Sequence, residues 1–161
     1  MGMELRPTTA KVRTALINIW RGELSGSAFL DLCTGTGAIA LAARQAGARF
    51  VVAVDASPKV IRKLLVHANP EHFHVLRGTL PGCLAHLQTR FDLIYFDPPY
   101  ASGLYVPVLA GIVQHQLLTD GGELAVEHHI HTPLPEQYLS LVRIRQKNYG
   151  DTVLSFYQLA N

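Results

Sequence analysis

The sequence is poor in cysteine and in charged residues, and it has no long apolar run. Its two cysteines, Cys33 and Cys83, supply neither a disulfide framework nor a metal-ligand spacing. Only 16% of the residues are charged and 48% are hydrophobic, which excludes intrinsic disorder. No apolar run is long enough to cross a bilayer, and residues 1–5 carry no signal-peptide or transit pattern. We therefore expect a cytoplasmic protein with no membrane partner.

A strong net charge is also missing. The formal net charge is +2, which permits a polyanionic partner without arguing for one. A length of 161 residues is enough for one domain with a full hydrophobic core. We expect a single domain over residues 1–161 that acts as a monomer, with an N-terminal helix over 9–21 and a core over 28–161.

What the chain does contain is one organising stretch: a strand, a glycine turn, a helix and a second strand. The two apolar strands are expected over 28–33 and 50–54. Between them, Gly35 and Gly37 let the backbone turn sharply and come close to a ligand. Asp55 follows the second strand, where an acid can hold ribose hydroxyls. This order is half of a nucleotide-binding βαβ unit.

Two cofactors fit that half-unit. Gly35 to Ala40 match the G-x-G-x-x-A form of the dinucleotide fingerprint, and Asp55 lies 20 residues after Gly35, as NAD binding requires. Asp31 favours S-adenosylmethionine instead, because a carboxylate aimed at the loop would repel a pyrophosphate but pair with the ammonium of a methionine moiety. A purely structural alternative is that Asp31 only accepts hydrogen bonds from nearby backbone amides.

The remaining chain continues to alternate strands with helices and then departs from that pattern. Helices are predicted from Ser57 to Ala68, over 81–88 and over 104–118, and strands over 72–77, 91–96 and 123–129. Gly121-Gly122 is interpreted as the stop of the third of these helices. Two final strands, 141–147 and 152–159, are expected to form an antiparallel hairpin. The fold class is therefore α/β: a single three-layer Rossmann-like domain whose mostly parallel, seven-stranded sheet ends in that hairpin. Such an ending favours a methyltransferase over a dinucleotide-binding domain.

Asp97-Pro98-Pro99-Tyr100 directly follows the fourth predicted strand, at the edge where ligands bind in such sheets. An exocyclic amine on a base is a poor nucleophile, because its lone pair is delocalised into the ring. If Asp97 and the carbonyl of Pro98 accept its hydrogens, that lone pair is freed for attack. The prolines fix the backbone, and Tyr100 offers a face for a flipped-out base. The alternative is an ordinary turn.

Glu127-His128-His129-Ile130-His131 follows the fifth predicted strand and suggests a metal site, because alternate residues of a strand share one face. We predict no metal here, since methyl transfer from a sulfonium gives a catalytic metal no role. Contact between these residues and the substrate is the other functional interpretation. The plain alternative is a strand that ends in polar residues at the edge of a cleft.

With these elements the chain resembles class I S-adenosylmethionine-dependent methyltransferases, and more narrowly the bacterial 16S ribosomal RNA (guanine-N2)-methyltransferases. Three motifs carry the narrower resemblance: Arg6-Pro7-Thr8, the segment from Asp31 to Gly37, and Tyr149-Gly150-Asp151-Thr152. The resemblance covers nearly the whole chain. Members of that family usually carry a basic β-hairpin before the Arg-Pro-Thr motif, and only five residues precede Arg6 here. The chain is thus expected to be a short member that lacks this hairpin.

The resemblance implies three sets of site residues. Catalysis would fall to Asp97, Pro98, Pro99 and Tyr100, and substrate binding to Arg6, Thr8 and Tyr149. S-adenosylmethionine would be bound by Asp31, Cys33, Thr34, Gly35, Gly37, Asp55, Ala56, Ser57, Thr79 and Leu80. Six basic residues are expected to include the contacts to RNA phosphates: Arg6, Lys11, Arg13, Arg143, Arg145 and Lys147.

The expected function is transfer of a methyl group from S-adenosylmethionine to the exocyclic N2 amine of a guanine in small-subunit (16S) ribosomal RNA. The partner would be that RNA, or a partly assembled small ribosomal subunit. An adenine-N6 methyltransferase acting on DNA or RNA is the alternative within the class. A small NAD-binding oxidoreductase and a non-catalytic RNA-binding domain are the alternatives outside it.

Overall fold

The computed structural model describes residues 7–160, and the side chains of residues 10–160. Two helices open the chain, α1 over Pro7–Ile19 and the one-turn α2 over Arg21–Leu24. The central part alternates strands and helices: β1 Ala28–Leu32, α3 Ala38–Gln45, β2 Phe50–Asp55, α4 Pro58–Leu64, β3 Phe73–Arg77, β4 Phe91–Phe96 and α5 Tyr105–Gln114. Four strands complete it: β5 Leu118–His129, β6 Gln137–Tyr138, β7 Leu141–Tyr149 and β8 Thr152–Leu159. Short 3-10 helices span Leu65–His67 and Gly82–His86.

All eight strands form one sheet in the order β3-β2-β1-β4-β5-β8-β7-β6. The first five strands are parallel to one another, whereas β8, β7 and β6 pair antiparallel with their neighbours. The α/β class, the mostly parallel sheet and the terminal hairpin are thereby confirmed. The sheet has one strand more than the seven predicted, because Gln137 and Tyr138 pair with Val142 and Leu141. Two residues are too few to produce a recognisable alternation of polar and apolar side chains.

Both faces of the central strands β1, β2 and β4 are buried, which explains why these strands are mainly apolar. On one face, Leu30 and Ile94 pack in a cluster with residues of α5. On the other face, α1, α2 and α3 cover Phe29 and Phe156, and Trp20 makes edge-on ring contacts with both of these phenylalanines. The sheet and the helices on its two faces thus form three layers, as predicted. None of the helices that the structure describes is long and apolar enough to cross a membrane.

Several predicted boundaries are wrong. The first helix spans Pro7–Ile19 rather than residues 9–21, and Arg21–Leu24 form a separate helical turn. The helix predicted over residues 81–88 is a shorter 3-10 helix over Gly82–His86. The structure confirms the strand over 91–96 as predicted.

The largest error concerns the segment between the fourth and fifth strands. Helix α5 ends at Gln114 and not at residue 118, because Gln116 adopts a left-handed backbone (φ 52°) and Leu118 already belongs to β5. Gly121-Gly122 therefore lies inside β5 and is not a helix stop. A Cβ on Gly122 would lie 2.7 Å from the carbonyl oxygen of Asp92, so this glycine allows close approach of β4 to β5 where their register shifts.

The parallel strands all end at one edge of the sheet, which we call the carboxyl edge. The residues at this edge are Leu32, Asp55, Arg77, Phe96 and His129, the last residues of the five parallel strands. Strand β7 also runs toward this edge, since two antiparallel pairings separate it from β5. The strand order reverses between β1 and β4, and ligands of open α/β sheets bind at such a point.

Candidate active site

The glycine loop connects β1 to α3 at the carboxyl edge. Gly35 (φ 57°) and Gly37 (φ 79°) both have a left-handed backbone that other residues adopt at a cost. A Cβ on Gly37 would collide with the side chain of Leu64, so this glycine also brings α4 close to the loop. A Cβ on Gly35 would meet no atom within 4 Å and would project into open space. Of these two glycines, Gly35 is therefore the one whose missing side chain leaves open space at the loop.

Asp55 joins the two loops that follow β1 and β2. Its Oδ2 accepts a hydrogen bond from the backbone N–H of Gly35 (3.0 Å), and its Oδ1 accepts one from the N–H of Ser57 (2.9 Å). Ser57 in turn caps α4, since its Oγ accepts from the N–H of Val60 at 3.3 Å. A carboxylate oxygen has two lone pairs, so these contacts leave Asp55 able to accept ribose hydroxyls as well. Ala56 between them is exposed.

Asp31 is buried at the end of β1, with 1% of its surface exposed. Its Oδ2 accepts a hydrogen bond from the hydroxyl of Thr34 at 2.6 Å. Its Oδ1 is buried and has no hydrogen-bond partner within the described part of the chain. Burial raises the pKa of this carboxyl group from 3.8 to about 7; the Thr34 hydroxyl and the nearby backbone N–H of Ala40 oppose the rise, and the negative charge of Asp55 adds to it. A buried oxygen without a donor is costly, and an ammonium group would both satisfy it and favour the ionised form. The residues present thus fit the methionine end of S-adenosylmethionine.

Cys33 and Thr34 shape the turn between β1 and the glycines. Cys33 has a left-handed backbone (φ 63°), which is uncommon for a residue with a side chain. The N–H of Thr34 donates to the carbonyl of Val54 at 2.9 Å, so the turn is fastened to β2. Burial, followed by the nearby carboxylates of Asp55 and Asp97, raises the pKa of the Cys33 thiol to about 12. Cys33 is therefore protonated at neutral pH, which excludes a thiolate nucleophile.

Thr79 and Leu80 follow β3 and lie beside the loop after β2. The N–H of Gly78 donates to the backbone carbonyl of Asp55 at 3.1 Å, which brings the end of β3 against Asp55. The N–H of Cys83 donates to the carbonyl of Thr79 at 2.9 Å and begins the 3-10 helix there. Leu80 packs against the core and is joined to Pro81 by a cis peptide bond. The chain at Thr79 and Leu80 thus leaves the sheet next to Asp55, at the carboxyl edge.

The Asp-Pro-Pro-Tyr segment leaves β4 directly beside the end of β1. The N–H of Asp97 donates to the carbonyl of Leu32 at 3.4 Å. Pro98 is buried, Pro99 is exposed, and the N–H of Ser102 donates to the Pro99 carbonyl at 3.1 Å to close the turn. The carboxylate of Asp97 is half-buried. The segment and the glycine loop therefore lie side by side at the carboxyl edge, at the point where the strand order reverses.

A buried pair that the sequence analysis did not assign lies behind Asp97. The hydroxyl of Tyr95 donates to Glu127 Oε1 at 2.5 Å, and both residues are buried. Burial, followed by the negative charge of Asp97 and Glu127, raises the pKa of Tyr95 well above its ordinary value. Tyr95 therefore remains a hydrogen-bond donor at all physiological pH values. The available signal was alternation along β4, since Tyr95 and Asp97 are two residues apart and share a face.

The predicted RNA-binding residues are only partly placed. Arg6 lies outside the described residues, and Thr8 lies in α1 with its side chain outside them. Tyr149 is half-buried at the end of β7 and pairs with Thr152, which pairs in turn with His129. The structure thus brings Tyr149 to the carboxyl edge. Within residues 10–160, no group of three or more His, Cys, Asp or Glu side chains is arranged to hold a metal ion.

Two of the basic residues that were predicted to contact phosphate make contacts within the protein. Arg145 Nη2 lies 2.7 Å from the buried Glu123 Oε1, and the Arg145 guanidinium lies over the Phe156 ring at 4.5 Å. Arg143 pairs with Glu136 at 3.5 Å and also donates to the carbonyl of Leu134. These contacts hold β7 on the rest of the sheet. Sequence alone could not find them, because the acidic partners lie in other elements.

A glycine loop and an acid at the ends of the first two strands, in a parallel sheet that ends in an antiparallel hairpin, are the arrangement of a class I methyltransferase. The model of the family described as "conserved hypothetical protein 95" matches residues 1–158. The chain belongs to this family. The relatives below also favour a methyltransferase over the NAD-binding oxidoreductase that the glycine spacing allowed.

Two relatives and one solved structure illustrate the likeness. YlbH of Bacillus subtilis (strain 168), provisionally named an rRNA methyltransferase, is 30% identical over 164 residues, which cover 98% of this chain and 89% of that protein. Ribosomal RNA small subunit methyltransferase D of Escherichia coli (strain K12) is 27% identical over 96% of this chain and 79% of that protein. The yhhF structure from Escherichia coli, provisionally described as a methyltransferase, has a TM-score of 0.85 at 24% identity and covers 99% of this chain and 90% of that one.

Proposed function

We propose that this protein transfers a methyl group from S-adenosylmethionine to the exocyclic N2 amine of a guanine in small-subunit ribosomal RNA. The observation that carries the proposal is the position of Asp97, whose backbone is hydrogen-bonded to the end of β1 beside the glycine loop. An acceptor for an amine and a loop for the methyl donor thereby share one cleft. The proposal also rests on the family, whose relatives include proteins named as ribosomal RNA methyltransferases.

The cofactor would lie across the ends of β1, β2 and β3. Asp31 would hold the ammonium group with its unpartnered oxygen, Gly35 would admit close approach of the ligand, and Asp55 would accept the ribose hydroxyls. Thr79 and Leu80 would line the adenine pocket, and the remaining contacts would come from Cys33, Thr34, Gly37, Ala56 and Ser57. When bound, S-adenosylmethionine supplies an electrophilic methyl group on its sulfonium.

Asp97 and Pro98 would prepare the nucleophile. The amine donates one hydrogen to the Asp97 carboxylate and the other to the Pro98 carbonyl, which withdraws the lone pair from the purine ring. As the nitrogen gains its fourth bond it becomes positively charged, and the nearby carboxylate stabilises that charge. Asp97 then accepts the proton that the nitrogen must lose and passes it to water. Pro99 has no N–H that could compete for these acceptors.

The RNA would approach over Tyr100. Its ring offers a stacking face for a guanine flipped out of its helix, and Tyr149, Arg6 and Thr8 would contact the surrounding nucleotides. Ribosomal RNA, free or in a partly assembled small subunit, would be the partner of a monomeric cytoplasmic enzyme. An adenine-N6 methyltransferase remains the rival, because adenine also presents an exocyclic amine.

Mass analysis of ribosomal RNA nucleosides tests the proposal. A strain lacking this gene should lose N2-methylguanosine from its small-subunit RNA relative to its parent. Restoring the wild-type gene should restore the nucleoside, whereas a gene encoding Asp97→Ala should not. Loss of N6-methyladenosine instead would establish the rival substrate, and an unchanged nucleoside profile would refute ribosomal RNA methylation.

A further inference from the structure

A row of three aromatic rings continues outward from the Asp-Pro-Pro-Tyr segment. The ring centroids of Tyr100 and His129 are 5.4 Å apart with their planes at 68°, and those of His129 and His131 are 5.1 Å apart with their planes at 39°. We call these three residues the ring row. His128 is excluded from it, because its Nε2 is buried against the Ser155 hydroxyl at 2.7 Å.

Strand pairing and two backbone hydrogen bonds fix the chain that carries the two histidines of the row. His129 is the last residue of β5 and pairs with Thr152 of β8. The N–H of Ile130 donates to the carbonyl of Asp151 at 2.8 Å, and the N–H of Thr132 donates to the carbonyl of His129 at 2.9 Å. The backbone at the two histidines is thus held in place before any ligand arrives, which limits the conformational entropy lost on binding.

A hydrogen bond orients the ring of His129, because the backbone N–H of His131 donates to His129 Nδ1 at 3.1 Å. A flat ring held in this way is suited to stacking on a nucleobase, as histidine does in RNA recognition. His129 is partly exposed and His131 is exposed, so both rings are accessible.

We infer that His129 and His131 bind the base adjacent to the methylated guanine, an inference that rests on the proposed function of the same site. A guanine stacked on Tyr100 beside Asp97 leaves its chain neighbour next to the other two rings. The ring planes are inclined to one another by 68° and 39°, so bases stacked on them cannot be parallel as they are in a duplex. The row therefore fits an unstacked single strand, such as a loop, and not a continuous duplex.

Steady-state methylation of a short RNA containing the target guanine tests the inference. Removing a stacked base contact lowers affinity without changing the chemistry, so His129→Ala should raise KM for RNA about tenfold with kcat unchanged. His131→Ala should act in the same direction, and His129→Phe, which retains a flat ring, should restore most of the affinity. His67→Ala is the matched control, since this exposed histidine follows α4 away from the carboxyl edge. Thermal unfolding of each variant checks that it is folded.

The same assay with abasic RNA identifies the contact. RNA lacking the base before or after the target guanine should be a poorer substrate for the wild-type enzyme, and one of these two RNAs should show no further loss with His129→Ala. If His129→Ala weakens the use of the intact RNA and of both abasic RNAs equally, or if both alanine variants leave KM unchanged, the inference is overturned. The proposed function would remain intact. A wild-type enzyme that methylates a protein and no RNA would instead overturn the proposed function.

Discussion

Asp31 and Asp97 lie at the ends of neighbouring strands, yet their surroundings assign them different roles. Asp31 is buried with one oxygen satisfied by Thr34 and the other without a partner in the described chain. Asp97 is half-buried at the cleft and follows a strand whose backbone is fixed against β1. Asp31 is thus placed for a cation that remains bound through the reaction. Asp97 is placed for the positive charge that develops during the reaction.

Replacing Asp97 should therefore affect the rate and not cofactor binding. Asp97→Ala should lower the single-turnover rate of methyl transfer by a factor on the order of 10²–10³, because an acceptor that matters most in the transition state is lost. Asp97→Asn should recover part of this rate. Calorimetry should show nearly unchanged affinity for S-adenosylmethionine.

Asp92 provides a control on the same strand. Its carboxylate accepts from the N–H of Ala28 (2.8 Å) and the hydroxyl of Thr119 (3.2 Å) at the opposite edge of the sheet. Asp92→Ala should thus reduce stability and leave the methyl-transfer rate of the folded enzyme unchanged. Full activity in Asp97→Ala would mean that the Asp-Pro-Pro-Tyr segment is only a turn.

Replacing Asp31 should change how stability depends on pH. Its pKa is about 7 in the folded protein against 3.8 for an exposed group, so the folded state binds a proton more tightly than the unfolded state. The stability contributed by the protonated form is complete below about pH 4 and is lost as pH rises through 7. In cofactor-free protein, wild type should lose roughly 2–3 kcal/mol relative to Asp31→Asn between pH 5 and pH 8. Urea unfolding at both pH values measures this difference.

Cofactor affinity should show the opposite trend. The ammonium pairs with the ionised carboxylate, so wild type should bind S-adenosylmethionine more tightly at pH 8 than at pH 6, with proton uptake by the buffer detectable by calorimetry. Asp31→Asn should bind weakly at both pH values. A wild-type affinity that is independent of pH across this range would argue against contact between Asp31 and the ammonium.

At the scale of elements, the sequence predicted best where a pattern is local. The glycine loop, the Ser57 cap and the apolar strand β4 are contained within short segments, and the structure confirms their positions. The end of α5 and the two-residue β6 were missed, because each depends on pairing with another part of the sheet. The Tyr95–Glu127 contact could not be predicted either, since its partners are 32 residues apart in neighbouring strands.

The two glycines of the loop should respond differently to alanine. Both have positive φ, which alone costs about 1–2 kcal/mol for a residue with a Cβ. Gly37→Ala should cost roughly 2–4 kcal/mol, because its Cβ also collides with the buried Leu64 side chain. Gly35→Ala should cost only the backbone term and should weaken cofactor binding, since its Cβ occupies the open space of the cleft.

Urea unfolding and calorimetry of the two variants distinguish these effects. Combining Gly37→Ala with Leu64→Ala should destabilise by less than the sum of the single changes, because the smaller side chain makes room for the new Cβ. If the losses in the free energy of unfolding simply add, the destabilisation by Gly37→Ala comes from its backbone conformation alone. Unchanged cofactor affinity in Gly35→Ala would mean that the ligand does not approach this part of the loop.

At the scale of the whole molecule, the basic residues differ in what they contact. Lys11 lies in the first half of α1, and Lys147 lies near the end of β7 at the carboxyl edge. Both are exposed, whereas Arg145 is bound to Glu123.

RNA affinity measured against salt concentration should separate these residues. Each lysine that contacts a phosphate releases counterions, so Lys11→Ala and Lys147→Ala should each reduce the slope of log affinity against log salt by about one. Arg145→Ala should leave the slope unchanged but lower the free energy of unfolding, because Glu123 would keep its buried charge without the guanidinium. A slope reduced by Arg145→Ala and by neither lysine variant would place the RNA toward the middle of β7, away from the carboxyl edge and Asp97.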